Sequence, residues 1–211
     1  MVNNSVFDKL FMAIGVVLTF VVGILTDCDV LSLISAIAGV VSVVLCSQRK
    51  ISFYTFGFIQ IFTYSFICYN EGLYGKLLEN AFYLITMIIG LYGWIKHYDN
   101  NIKEVETKYF KHPFRNEIII NVSIVIFTCL MYHPLKMLND TNPLLDAFST
   151  TVAFIAQILM ILRYRESWYY WMIVNIFCAI LWINAGDCCM TIQYIFWMAN
   201  CFFGIYKWNC K

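Results

Sequence analysis

Eight apolar runs, each close to the roughly 20 residues a helix needs to cross a bilayer, dominate this chain of 211 residues. They are Leu10–Thr26, Val30–Ser47, Phe53–Tyr69, Leu77–Lys96, Asn116–Tyr132, Leu144–Leu162, Trp168–Asn184 and Met190–Trp208. Lipid offers backbone amides no water to bond with, so a spanning segment must be a helix or part of a closed barrel. The runs are too long for barrel strands of about 9–11 residues, which leaves an all-α polytopic membrane protein with eight transmembrane helices. Composition agrees, with 61% hydrophobic and 13% charged residues, against roughly 45–50% and about 25% in soluble domains. The first run is followed by Thr26-Asp27-Cys28-Asp29, which lacks a small-x-small cleavage site; it is therefore read as a retained helix and not a signal peptide.

If the eight runs alternate in direction, Lys9, Arg49, Lys50, Lys96, Lys103, Lys108, Lys111, Arg115, Arg163, Arg165, Lys207 and Lys211 fall on one side. Only Lys76 and Lys136 fall on the other. Positive loops stay inside, so both termini are expected in the cytoplasm. Omitting any one helix would scramble this sorting, which makes the charge bias an independent check on the helix count. The net charge of +1 leaves no basic excess for nucleic acid, which is not expected as a partner. Nine cysteines is an odd number, and Cys46, Cys68, Cys129, Cys178 and Cys201 lie within apolar runs. Neither a disulfide framework nor a metal site is expected, since Cys188 and Cys189 are adjacent and no CxxC partner exists.

The chain also repeats itself. A shift of 115 residues lays Ser52, Phe53, Tyr54, Phe56 and Gln60 on Ser167, Trp168, Tyr169, Trp171 and Asn175. After a one-residue deletion the shift becomes 114, and Gly72, Phe82, Gly90, Tyr92 and Trp94 fall on Gly186, Phe196, Gly204, Tyr206 and Trp208. Three helices repeated directly would invert the second copy, but the Asn116–Tyr132 run crosses once more and restores its direction. The expected organisation is an N-terminal additional helix (1–29), a first three-helix repeat (30–96), a cytoplasmic loop and linker helix (97–143) and a second, parallel repeat (144–211). Such a 3+1+3 core places a candidate pathway between its halves.

Polar side chains inside membrane helices cost free energy unless paired or wetted, so their positions are the best guides to a site. They are Gln60 and Tyr64 on the second core helix, Asn80 and Tyr83 on the third, Gln157 on the fifth, Asn175 on the sixth, and Gln193 and Asn200 on the seventh. All but Gln157 lie on the second and third helices of a copy. Gln60 and Asn175 are repeat-equivalent carboxamides that offer both donors and an acceptor, suited to an amide or to sugar hydroxyls; the same groups also serve as helix-to-helix hydrogen bonds. Trp171, Asn175 and Trp182 are spaced to share one helix face, and Trp197 adds an aromatic ring to the last helix. Rings of this kind stack on flat heterocycles and attract cationic ones. Trp94, Trp168 and Trp208, near helix ends, read as interfacial anchors.

The chemical parts of an enzyme are missing. The sequence holds no HExxH, no GxSxG and no GxxxxGK[ST], and His97, His112 and His133 all fall near helix ends. Among the acids, Glu79 and Asp146, each near the start of its run, are read as the ones that could enter the bilayer, neither with an evident proton-relay partner. No cofactor is expected, and facilitated diffusion is the default over ion-coupled pumping.

Trp168-Tyr-Tyr-Trp171-Met-Ile-Val-Asn175, preceded by Arg163-Tyr-Arg165-Glu166, resembles the W-x-x-W-x-x-x-N helix of the PnuC-like transporters of nicotinamide riboside and related vitamins. Lys50-Ile-Ser52 leading to Phe56-Gly57-Phe58-Ile59-Gln60 is similar to that family's first copy, and the likeness runs from about Ile34 to Trp208. The resemblance implies facilitated uptake across a bacterial cytoplasmic (inner) membrane, made directional by intracellular phosphorylation of the vitamin. It also implies a homotrimer in lipid, with substrate held halfway across. Position 60 is Gln where some nicotinamide riboside carriers have Asn, and relatives carry thiamine or riboflavin. The alternatives are therefore thiamine or riboflavin transport within the family and, outside it, a ligand-free helical subunit.

Overall fold

A computed structural model describes residues 4–70, 74–137, 142–185 and 188–209. Its helices are α1 Asn4–Leu25, α2 Val30–Ser47, α3 Phe53–Asn70, α4 Tyr74–Lys96, α5 Pro113–Met137, α6 Pro143–Ile161, α7 Ser167–Ala185 and α8 Cys188–Asn209. Each expected run lies on one of the eight, and the second coincides with α2 at both ends. The largest differences are at the two ends where polar residues extend a helix. Helix α1 begins before Leu10 because Asp8, excluded from an apolar run by its charge, is neutralised by Lys207 at 2.7 Å. Helix α5 continues past Tyr132 through Pro134 to Met137; so near the end, proline removes little of the hydrogen-bond ladder, and Lys136 in the last turn suits the helix dipole. Among the described residues, Val6–Leu25, α2, α5 and α6 are long and apolar enough to cross a membrane, and α7 adds the shorter apolar stretch Ser167–Ile180. Between α4 and α5 lies an antiparallel ribbon of β1 (Tyr98–Asp99) and β2 (Glu104–Val105), too short for alternation to reveal in the sequence.

The chain divides into two compact units, Met1–Glu106 with Tyr206–Lys211, and Thr107–Ile205. In the first, α1 packs on α2, α2 on α3 and α3 on α4; in the second, α5 packs on α6 and α6 on α7. Helix α5 thus stands to α6 as α1 stands to α2.

Helices α2 and α6 end in the same way. Arg49 and Arg163 adopt left-handed backbone angles, φ 59° and 67°, where glycine is the usual residue. Arg49 N donates to Cys46 O at 2.9 Å and Lys50 N to Leu45 O at 3.0 Å; Arg163 N donates to Met160 O and Tyr164 N to Leu159 O, both at 2.9 Å. Each arginine's own carbonyl then accepts a backbone N–H within its unit, from Val105 at 3.0 Å and from Lys108 at 2.7 Å. Side chains reinforce both turns. Arg49 pairs with Glu104, and Glu166 accepts from Phe110 N at 3.0 Å. Left-handed geometry costs a non-glycine residue about 1–2 kcal/mol, and these bonds offset it.

The tryptophans near helix ends are not interfacial anchors but core. Trp94 is completely buried and Trp208 is 3% exposed. Trp94 lies against Phe53 and Trp208, with ring centroids at 4.7 and 5.9 Å, and Trp208 Nε1 donates to Cys46 O at 3.2 Å. In the second unit Trp168 is buried against Gly204, where a Cβ would fall 2.5 Å from the indole. Small partners and a carbonyl at the end of α2 let these large rings turn inward, a choice that residue type and position along a run do not disclose. Two outcomes follow for thermal unfolding in detergent. Trp94→Ala should lose about 3–5 kcal/mol, and Gly204→Val about 1–3 kcal/mol by forcing Trp168 aside.

Candidate functional site

In the first unit the expected residues sit on α3 and α4. Gln60 is half-buried, and its carboxamide rests on α2 at Gly39, where an added Cβ would come within 3.0 Å of Gln60 Cδ. The missing side chain at position 39 is what admits the amide. Ser35 Oγ donates to the Gln60 carbonyl at 3.5 Å, and Tyr64, one turn on, is half-buried. Asn80 is 7% exposed and, among the described residues, its Nδ2 has no hydrogen-bond partner. A buried amide donor without an acceptor is costly in a protein that has finished its packing. One turn of α4 brings Tyr83 under Glu79, with the phenol donating to Glu79 Oε1 at 3.1 Å. Thr86 Oγ1 donates in turn to the Tyr83 carbonyl at 3.0 Å.

The second unit carries its set on α6, α7 and α8. Asn175 is 5% exposed, and its Nδ2 donates to Cys201 Sγ at 3.3 Å across to α8. Trp171 is half-buried and packs on a cluster that includes Val152, Ala156, Tyr170 and Val174. Trp182 lies in α7, but its side chain is outside the described residues. On α8, Asn200 is fully buried, Gln193 is half-buried, and Trp197 stands edge-on to Tyr194 at 5.1 Å and 80°. Among the described residues, the Trp197 indole N–H has no hydrogen-bond partner. Gln157 is half-buried on α6.

The structure therefore joins Asn175 to Cys201, Trp197 to Tyr194 and Tyr83 to Glu79, while Gln60 is set against α2. Glu79, Tyr194 and Cys201 were not among the expected site residues. The repeat held the signal for two of them, since a shift of 114 pairs Glu79 with Gln193 and Asn80 with Tyr194. An open polar depression of about 430 Å³, lined by Lys96, His97, Tyr98, Asp99, Asn100, Asn101 and Glu106, includes none of these side chains. Among the described residues no three His, Cys, Asp or Glu side chains lie close enough to hold a metal.

Apolar helices long enough to cross a membrane, with buried carboxamides and half-buried aromatics among them, place this chain in the class of multi-pass helical membrane proteins. The chain belongs to the nicotinamide mononucleotide transporter family, whose pattern matches residues 29–210. It is 30% identical to the nicotinamide riboside transporter PnuC of Neisseria mucosa over 188 residues, 85% of this chain and 72% of that one. The PnuC of Haemophilus influenzae is 29% identical over 204 residues, 96% of this chain and 89% of the relative. A crystal structure of the vitamin B3 transporter PnuC superposes with a TM-score of 0.80 at 28% identity, covering 96% of this chain and 90% of that one.

Burial separates the polar residues of α8 by role. Asn200→Leu should cost about 1–3 kcal/mol by replacing a fully buried amide, whereas Gln193→Leu should stay within about 0.5 kcal/mol; thermal melts in detergent read both.

Proposed function

We propose that this protein carries nicotinamide riboside across the bacterial cytoplasmic membrane by facilitated diffusion, with both termini in the cytoplasm and uptake pulled inward by phosphorylation of the riboside. The observation that carries the reading is the character of the polar set. Gln60, Tyr64, Asn80, Tyr83, Gln157, Asn175, Gln193 and Asn200 are neutral donors and acceptors, and Trp171, Trp182 and Trp197 supply flat π faces. Nicotinamide riboside presents a carboxamide, ribose hydroxyls and a cationic pyridinium, and each has its counterpart in that set. Relatives named as nicotinamide riboside transporters support the same substrate.

The family is named for the mononucleotide, which adds a phosphate. Phosphate recognition leans on Arg or Lys, and the proposed set contains neither, which favours the riboside. The 3+1+3 arrangement of two parallel repeats supplies the path, and the protein works as a homotrimer in lipid without enzymatic activity or a cofactor.

Asn175→Ala and Trp182→Ala should each abolish uptake while the protein remains folded in detergent. Radiolabelled uptake in cells, alongside size-exclusion profiles of the purified variants, provides the test; normal uptake by both variants overturns the site. Calorimetry with nicotinamide riboside, thiamine and riboflavin side by side tests the substrate. Binding of the riboside alone is the expected result, and a preference for thiamine would move the substrate within the family.

A further inference from the structure

We infer that Gly39 on α2 is a positioning residue for the substrate, seating the Gln60 carboxamide of α3 so that its hydrogen-bonding edge is presented to the ligand; this rests on the transport reading above. Gly39 is the tenth of the 18 residues of α2, and Gln60 is the eighth of the 18 of α3, so both lie near the middle of their spans. A polar side chain at that depth must be paired or wetted, and Gln60 is half-buried.

The geometry at position 39 fixes how the amide lies. A Cβ built on Gly39 would fall 3.0 Å from Gln60 Cδ, 3.1 Å from Nε2 and 3.4 Å from Oε1. A point nearest the carbon and almost as near both polar atoms stands over the plane of the amide, not beyond its edge. The carboxamide therefore lies face-on against Gly39. Its hydrogen bonds form close to its own plane, so resting one face on α2 takes no donor or acceptor out of use. Among the described residues, the side-chain hydrogen bonds to residue 60, from Ser35 Oγ at 3.5 Å and Thr63 Oγ1 at 3.0 Å, end on its main-chain carbonyl. The amide edge is left to a ligand that both accepts and donates, as a carboxamide or a ribose hydroxyl does.

Helix packing does not ask for this glycine. Glycine can admit a neighbouring backbone, but the three atoms nearest the missing Cβ all belong to the Gln60 amide. Glycine inside a helix is also less stable than alanine. The second copy supplies the comparison. Counted back from the arginines that end α2 and α6, Ser35 matches Ser149 at fourteen residues and Gly39 matches Ala153 at ten. The serine is kept and the glycine is not. Ala153 is 4% exposed and belongs to the hydrophobic cluster of the second unit. Where the position packs it carries a methyl group, and where it seats an amide the methyl is absent.

The test is a double-mutant cycle read by calorimetry with nicotinamide riboside on purified full-length protein, beside thermal melts of each variant. Gly39→Ala should push the amide off its seat. A binding group must be held within about 0.5 Å, so affinity should fall about tenfold or more, with a melting temperature equal to or above that of wild type. Gln60→Leu should lose a similar factor, and Gln60→Ala takes its place if the leucine variant does not fold. Adding Gly39→Ala to the position 60 variant should change affinity by less than about twofold, because the glycine acts only through the amide. Wild-type affinity in either single variant, or losses that multiply in the double variant, overturns the assignment. A Gly39→Ala protein that melts below wild type or fails to fold assigns the glycine to packing and overturns it as well. Wild type that binds no nicotinamide riboside overturns the transport reading itself, and this assignment with it.

Discussion

A membrane helix must end somewhere, and its last carbonyls must find donors when it does. This constraint organises the ends of α2 and α6. Both helices close with the same pair of backward hydrogen bonds, and both place an arginine where the backbone turns left-handed. Glycine would relieve the backbone, but it has no guanidinium to pair with Glu104 as Arg49 does. The turned arginine also offers its carbonyl to a loop, with Val105 and Lys108 docking in their respective units. The cap is thus a helix stop and a docking point for the loop at once. The end of α2 also helps to bury Trp208, since Cys46 O accepts from both Arg49 N and the Trp208 indole.

That arrangement explains why the helices were legible in the sequence and the ends were not. Apolar length is set by lipid thickness, so eight runs appear as eight helices, and Val30–Ser47 needs no correction. Burial within a membrane protein is another matter. Lipid and protein interior are equally apolar, so a tryptophan near a helix end carries no mark of which one it faces. Trp94, Trp168 and Trp208 turn inward because Phe53, Gly204 and the Cys46 carbonyl wait for them. Those partners come from other helices, and only folding discloses them. The β1–β2 ribbon escaped notice because two-residue strands have no period.

The candidate residues were legible as a set but not in their pairings. Their identity follows from the cost of polar groups in lipid, which singles out Asn80, Asn175 and Asn200 without any coordinates. Their partners do not. The sulfur that Asn175 meets belongs to Cys201, a residue read only as small and packable, and the surface under Gln60 is made by the absence of a side chain at Gly39. Repeat equivalence therefore overstates likeness. Gln60 and Asn175 match in sequence, yet one carboxamide lies on backbone and the other on a thiol.

Such divergence is what the proposed function would ask of a repeated scaffold. Two identical halves would line a path with the same groups twice, which suits a symmetric solute and no other. Nicotinamide riboside is asymmetric, with a charged flat ring at one end and a hydroxylated sugar at the other. The two copies here keep the same helical spacing and differ in chemistry at matched positions: acid against amide at 79 and 193, phenol against indole at 83 and 197, amide against phenol at 80 and 194. Under the proposed function, spacing is kept because packing depends on it, while the side chains at those positions diverge toward the two ends of one ligand. A repeated fold can in this way present an asymmetric surface.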